Sequence, residues 1–346
     1  MSHLKKDLLV LDRDGTLIQD YPYENKVENF RILRLVVEGL KLLKDRFDFI
    51  IHTNQSGIAR GKSSLKELQE MHLHLEKEFL KEDIAFLKIF FCPHATTENC
   101  ICRKPSPELV RVYAKEQGYE LSKAWVFGDR GTDVDLGKNF GGNSALLLTG
   151  FGVQELNQDP GVHRRADFVA ANLFQAATFL RKRKLQKIVP RNEIGKLAAD
   201  LRQQGKKIVT LNGSFDLMHF GHRSILKEAK AQGDVFIVAL NTDESIRGNK
   251  GPARPINSLQ ARQQMMSTYD EVDFITDFSE PTPVQLLEEI KPAVHVNGSE
   301  YGENCVEAPT VKKHGGRIHI FNLVEGFSTS KMLAGELNPE DAFRNS

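Results

Sequence analysis

Four acidic side chains fall in two short clusters, Asp12 with Asp14 and Asp129 with Asp133. Each cluster follows directly on an apolar run, DLLVL at 7–11 and AWVFG at 124–128. Carboxylates placed behind a buried strand are costly unless something positive sits among them. A hard ion such as Mg²⁺ prefers carboxylate oxygens and keeps several waters. Helix capping by Asp14 and Asp133 would explain one acid at each place, but poorly explains two clusters. Thr53 and Asn54 end a third apolar run, and Arg103 and Lys104 supply cations. A nucleophilic carboxylate, a hydroxyl, an ammonium and a metal site are the parts of a phosphoryl-transfer centre. The carboxylate can form an aspartyl phosphate, and the cations offset charge on the transferring group.

Directly before Arg103 stands Cys-x-His-x5-Cys-x-Cys, made of Cys92, His94, Cys100 and Cys102. Three thiolates and an imidazole suit tetrahedral zinc, and a filled set leaves no open position, so the ion would be structural. A catalytic thiol would want one activated cysteine beside a base, not four clustered ligands. Such a clasp would fix a loop and, with it, Arg103 and Lys104. Cys305 stands alone and reads as an ordinary buried cysteine.

A second chemistry lies in LNGSFDLMHFGH at 211–222. It follows an apolar run and opens a helical pattern. Gly213, Ser214, Phe215 and Asp216 form a turn where backbone can approach a ligand. His219 and His222, three apart, share one face of the helix start. A helix N-terminus favours phosphate, and imidazoles can donate to a phosphate gaining charge. One histidine would read as core. The pair behind GSFD reads as a phosphate site.

The elements that position these residues alternate. Apolar runs at 7–12, 47–53, 88–92 and 123–129 are separated by amphipathic stretches such as 64–81, and the half closes near 166–180. The pattern restarts at 207–213, 234–241, 273–278, 293–298 and 317–323. Strand–helix alternation predicts two different doubly wound α/β domains with parallel sheets. The expected limits are 1–185 and 207–346, joined by a linker helix over 186–206. The basic run at 181–193 lacks interleaved aromatics and reads as solvated linker rather than a nucleic-acid site.

The chain has 346 residues, with 47 Lys and Arg against 46 Asp and Glu. So balanced a charge gives no general attraction to nucleic acid or acidic membranes. No apolar run nears the ~20 residues of a membrane span. The N-terminus has charged DRDG where a signal peptide needs a cleavage site. A cytoplasmic protein is expected, with reduced thiols. Its partners would be small molecules, and a homo-oligomer is compatible with the sequence.

DxDGT, a Thr-ending second motif, a lysine and GDxxxD, in that order, resemble the haloacid dehalogenase superfamily of phosphatases. The resemblance spans about 7–180. It implies Asp12 as nucleophile and Asp14 as general acid/base, with Thr53, Asn54, Arg103 and Lys104 on substrate phosphate. It implies Mg²⁺ on Asp12, Asp129 and the Asp14 backbone carbonyl, with Asp133 supporting that shell. The cysteine loop is similar to that of histidinol-phosphate and heptose-bisphosphate phosphatases; GDRGTD looks more like the first and TNQSGIARG like the second.

The second half resembles the cytidylyltransferase-like nucleotidyltransferases, through HxGH, NKGPARPIN (249–257), Arg262, EPTP (280–283), VNGSEY (296–301) and EGFSTSKM (325–332). The set is most similar to the adenylyltransferase domain of ADP-heptose synthases. That implies His219 and His222 at the α-phosphate, Lys250 and Arg262 neutralising phosphates, and Ser328 and Thr329 on the β and γ phosphates of ATP. Asp216 would position the sugar phosphate or the loop.

The two resemblances are consecutive steps of one route. They imply removal of the C7 phosphate from heptose 1,7-bisphosphate, then transfer of AMP from ATP to heptose 1-phosphate. The alternative is a phosphatase on histidinol phosphate or another polyol phosphate, joined to a CTP-dependent transferase making a CDP-alcohol.

Overall fold

A computed structural model describes residues 6–23, 25–159, 161–182, 184–299, 302–321 and 334. The chain divides into two compact units, the first running to Arg181 and the second starting at Lys182.

The first unit holds six strands: β1 (Asp7–Leu11), β2 (Phe47–Asn54), β3 (Phe86–Cys92), β4 (Trp125–Gly128), β5 (Asn143–Leu147) and β6 (Phe168–Ala170). All pair in parallel, in the order β3-β2-β1-β4-β5-β6. β1 is central, and Leu8 to Leu11 are almost wholly buried, as a strand covered on both faces requires. The chain winds outward from β1 through β2 to β3, then restarts on the other side with β4. The strand order therefore reverses between β1 and β4, where the carboxyl ends of an open α/β sheet leave a crevice. Asp12 and Asp129 stand on its two sides.

β5 and β6 extend the four strands expected from sequence. Both are short and almost entirely buried, so neither shows the polar–apolar alternation that marks a strand with one wet face. The amphipathic stretch at 64–81 forms the helix Leu65–Leu80. Ser64 starts it through a reciprocal cap: its Oγ accepts from Glu67 N at 3.2 Å, and its own N donates to Glu67 Oε2 at 2.7 Å.

The second unit holds β7 (Ile208–Gly213), β8 (Val235–Asn241), β9 (Phe274–Phe278), β10 (Val294–Gly298) and β11 (Arg317–Phe321). These too are all parallel, in the order β11-β10-β7-β8-β9, so the reversal lies between β7 and β10. GSFD leaves β7 at that crevice. Among the described residues no helix is long and apolar enough to cross a membrane.

The segment expected as a linker, 186–206, is part of the second unit. Val189 N donates to Ile275 O at 2.8 Å, and Arg191 pairs with Glu280 and Glu289. The helix Ile194–Gln203 buries Ile194 and Ala198 in one cluster with Ile208, Ile237, Phe278, Leu286 and Ile290. Its apolar stripe covers one face of the sheet, so hydrophobic burial makes this helix part of the second unit's core. Even Lys184 is tied to this unit, its N donating to Ser267 Oγ at 2.9 Å. Ile194→Ala should therefore destabilise the second unit by about 2–5 kcal/mol, as buried Ile truncations do. Calorimetry should show the second unit's unfolding transition moved down and the first unit's unmoved. An unchanged second transition would show that the helix is dispensable.

Candidate functional site

In the first unit, Asp12 follows β1, and its N donates to Phe127 O at 2.9 Å, setting it level with the end of β4. Asp129 and Asp133 come from the turn after β4 and the first turn of the helix Gly131–Phe140. Carboxylate oxygens of Asp12, Asp129 and Asp133 lie within 4.8 Å of one another. Lys104 Nζ enters this group, 2.5 Å from Asp12 Oδ1 and 2.6 Å from Asp133 Oδ1, and is 4% exposed. Three carboxylates against one ammonium leave a formal charge of −3 + 1 = −2 in a buried place.

The pKa shifts follow from that crowding. Burial, with the charges of Asp133 and Asp14, raises Asp12 to about 7 even though Lys104 opposes the change. Burial, then Asp12 and Asp133, push Asp129 well above the usual carboxylate range. Burial alone would lower Lys104, but Asp12 and Asp133 hold its ammonium above its ordinary value.

Asp129 Oδ2 accepts from Phe151 N at 2.7 Å, while its Oδ1 is buried with no partner. An orphaned carboxylate oxygen and two uncompensated negative charges fit a divalent cation. Gly15 (φ +78°) and Gly150 (φ +53°) press against this carboxylate. A Cβ on either would collide with Asp129 Oδ2. The conformation and the space both demand glycine.

Asp14 points away from this group. Arg13, itself buried, grips it through Nε at 3.0 Å and Nη2 at 2.9 Å. Thr53 Oγ1, at 3.3 Å, and Gln55 Nε2, at 2.8 Å, both donate to Asp14 Oδ2. Arg13 and Gln55 escaped the sequence reading, although both stand inside its motifs. Asn54 does not reach the acids: its Oδ1 accepts from Lys104 N at 3.0 Å and its Nδ2 donates to Lys104 O at 3.3 Å. Above the acids lies a cavity of about 370 Å³, whose walls include Thr53, Arg60, Arg103, Arg130 and Phe151.

The cysteine loop closes as its spacing implies. Cys92 ends β3. Cys92 Sγ lies 3.6 Å from Cys100 Sγ and 3.7 Å from His94 Nδ1, and His94 Nδ1 lies 3.1 Å from Cys102 Sγ. These four could hold one metal ion. Arg103 Nη1 donates to His94 O at 3.4 Å, so the loop holds Arg103 directly.

In the second unit, His219 caps the helix Phe220–Lys230, and its N donates to His222 Nδ1 at 3.3 Å. That acceptor role fixes the His222 proton on Nε2, the nitrogen left for a ligand. The two rings lie 3.8 Å apart, and Phe215 backs His222 at 5.2 Å. Burial lowers His219 to about 4. Burial, His219 and Lys250 drive His222 well below its usual range. Both rings are neutral donors at pH 7. Lys250 Nζ lies 2.9 Å from Ser214 Oγ.

Arg262 departs from expectation. It is 1% exposed, and four of its N–H groups are engaged: Nε with Asn257 O, Nη1 with Ser214 O, and Nη2 with Asn241 O and Asp243 Oδ1. A guanidinium so committed braces the turn rather than neutralising phosphate. Asp216 takes the loop role of its two expected ones, accepting from Arg254, Ile256 N and Asn257 N at 2.8–2.9 Å. Together they hold Phe215 at φ +44°, a costly backbone for a bulky residue. Gly213 is needed beneath it, because a Cβ there would lie 2.9 Å from the Phe215 ring. Ser328 and Thr329 lie outside the described residues.

Residues 101–176 match the HAD-hydrolase-like family model, and residues 210–320 match the cytidylyltransferase-like one. The chain is similar to the bifunctional protein HldE of Azotobacter vinelandii, 46% identical over 135 residues, which are 39% of this chain and 28% of that protein. HldE of Pseudomonas fluorescens is 45% identical over 136 residues, 29% of its length. The match thus spans less than a third of these relatives. A D,D-heptose 1,7-bisphosphate phosphatase from B. bronchiseptica is 28% identical over 50% of this chain and 97% of that one, with a TM-score of 0.47.

The acid cluster carries a pH dependence. A carboxyl raised in the folded state stabilises the fold most below its unfolded pKa, and that contribution is lost as pH rises through the folded value. With divalent cations chelated, the first unit should lose stability as pH rises from about 4 through about 7, the folded value of Asp12. Denaturant midpoints across that window would show it. Asp12→Asn should flatten the slope; an equal slope in the variant would refute the assignment.

Proposed function

We propose that the chain is a bifunctional enzyme of nucleotide-heptose synthesis. Its first unit would remove the C7 phosphate of heptose 1,7-bisphosphate. Its second would transfer AMP from ATP to heptose 1-phosphate, giving ADP-heptose and pyrophosphate. The observation that carries the reading is the buried Asp12–Asp129–Asp133–Lys104 group beneath a cavity walled by Arg60, Arg103 and Arg130. The acids and lysine suit the phosphoryl group being transferred. The arginines offer cations to a second, retained phosphate, which a bisphosphate has and a monophosphate lacks.

At the first site, Asp12 attacks phosphorus and forms an aspartyl phosphate, while Asp14 gives its proton to the departing C7 oxygen. Asp14 then takes a proton from water, which attacks the same phosphorus and frees Asp12 and phosphate. Arg13, Thr53 and Gln55 hold Asp14 for both transfers. Mg²⁺, held by Asp12 and Asp129 with the Asp14 carbonyl, would supply charge neutralisation there. Zinc suits the cysteine loop: bonds of about 2.3 Å to sulfur and about 2.0 Å to nitrogen put tetrahedral ligand atoms roughly 3.5–3.8 Å apart, near most of the observed separations.

At the second site, an oxygen of the sugar's C1 phosphate attacks the α-phosphorus of ATP and pyrophosphate leaves. His219 and His222 donate to the oxygens gaining charge, Lys250 faces the phosphates, and Ser328 with Thr329 would take the β and γ phosphates. The phosphatase domain is taken as running to Arg181 rather than to 185, and the transferase as starting at Lys182, with the helix Ile194–Gln203 as part of the latter. The substrates are small molecules and the setting the cytoplasm, upstream of a bacterial surface glycan such as lipopolysaccharide.

Three experiments test this. One purified chain given heptose 1,7-bisphosphate, ATP and Mg²⁺ should yield nucleotide-heptose, phosphate and pyrophosphate in equal amounts. Asp12→Asn should stop the sequence, and heptose 1-phosphate should restore it. Hydrolysis at C1, or a preference for histidinol phosphate or CTP, would overturn the pathway. His222→Ala should cut adenylyl transfer by about 10²–10³-fold and let heptose 1-phosphate accumulate; unchanged turnover would remove that histidine from the mechanism. Cys100→Ser should lower bound zinc, read by elemental analysis, together with phosphatase activity. A metal-free, fully active wild type would rule the clasp out.

A further inference from the structure

His52 is wholly buried on β2, one residue before Thr53, and no step above uses it. Its Nε2 lies 2.9 Å from the backbone oxygen of Cys102 and donates to it; its Nδ1 is buried with no hydrogen-bond partner. An aliphatic side chain in that place would avoid the cost of an unsatisfied ring nitrogen, about 1–3 kcal/mol. The single bond to Cys102 must therefore matter more than the burial of the ring.

Side chains two apart on a strand share a face. His52 and Asn54 thus reach to the same side of β2, and they grip the backbone at Cys102 and at Lys104, residues also two apart. Asn54 makes both of its bonds to Lys104, through N–H and C=O, as a paired strand would. Between them the two side chains hold the Cys102–Lys104 segment against that face of β2, beside the end of β3 at Cys92. Lys104 is thereby anchored to the same strand that carries Thr53, by Asn54 directly and by His52 through Cys102, which is also a member of the Cys–His cluster.

We propose that His52 and Asn54 form a clamp that positions the Lys104 ammonium against Asp12, with His52 a positioning residue for the phosphatase reaction. The inference rests on the phosphatase reading of the first site. His52 holds the backbone oxygen of Cys102, whereas a metal would be held by its sulfur, so zinc content and the placement of Lys104 are read separately.

The test compares His52→Leu and His52→Gln in the full chain. Leu keeps the apolar bulk and drops the donor. Gln has an amide nitrogen at about the reach of Nε2 and restores the bond. The clamp predicts a kcat for phosphate release about 10–100-fold lower in His52→Leu, a smaller change in KM, unchanged zinc content, and recovery of most of the kcat in His52→Gln. Asn54→Ala should lower kcat in the same way. A merely structural histidine predicts the reverse order, Leu tolerated and Gln destabilising, and that order would overturn the proposal. So would equal activity in all three proteins. If wild type itself releases no phosphate from any sugar phosphate, the phosphatase reading fails first. The first unit's calorimetric unfolding transition reports that each variant is folded.

Discussion

Three carboxylates and one ammonium share a buried space at the reversal point of the first sheet, and most of the first unit serves that crowding. Charge of one sign is expensive to bury. It persists here because the groups come from four separate places, after β1, after β4, from the following helix and from the cysteine loop. Each is held by backbone that cannot easily retreat. The two glycines beneath Asp129, the short bond from Phe151 and the lysine between Asp12 and Asp133 all fix the acids in a state that repels itself. Pre-set, high-energy electrostatics of this kind favour an added cation or a transferring phosphoryl group over the empty site.

The second unit solves a different problem with neutral groups. Its two histidines carry no charge at pH 7, so they gain most when charge appears on a ligand rather than when ligand first binds. Their placement depends on a turn held in an unfavourable conformation at Phe215. Arg262 and Asp216 meet that cost with a dense set of bonds to backbone.

Much of this was legible in the sequence. The strands carrying Asp12, Thr53, Asp129 and Gly213 are apolar runs with abrupt polar ends, and the end is what places the residue at the crevice. The cysteine spacing gave the clustered loop. Other features were not legible, for particular reasons. β5 and β6 lack alternation because both faces are covered. The helix at 194–203 looked like a connector because it follows a basic run and only its Ile194 and Ala198 are wholly buried. The bracing bonds of Arg262 were not legible because a motif names a residue without saying which way its guanidinium turns. Gln55 and Arg13 were passed over because their partner, Asp14, was itself assigned by role rather than by surroundings.

Gly15 and Gly150 do more than make room for a carboxylate. A Cβ on Gly150 would lie 2.5 Å from the Cα of Gly15, and one on Gly15 would lie 3.0 Å from the Cα of Gly150. The two loops touch backbone to backbone, with no side chain between them to trim. A larger residue in one loop cannot be compensated by a smaller one in the other, since neither has anything left to lose. Variation among descendants of this sequence is therefore closed at both positions at once, and drift in the pocket must be absorbed farther out, by the arginines and aromatics of its wall.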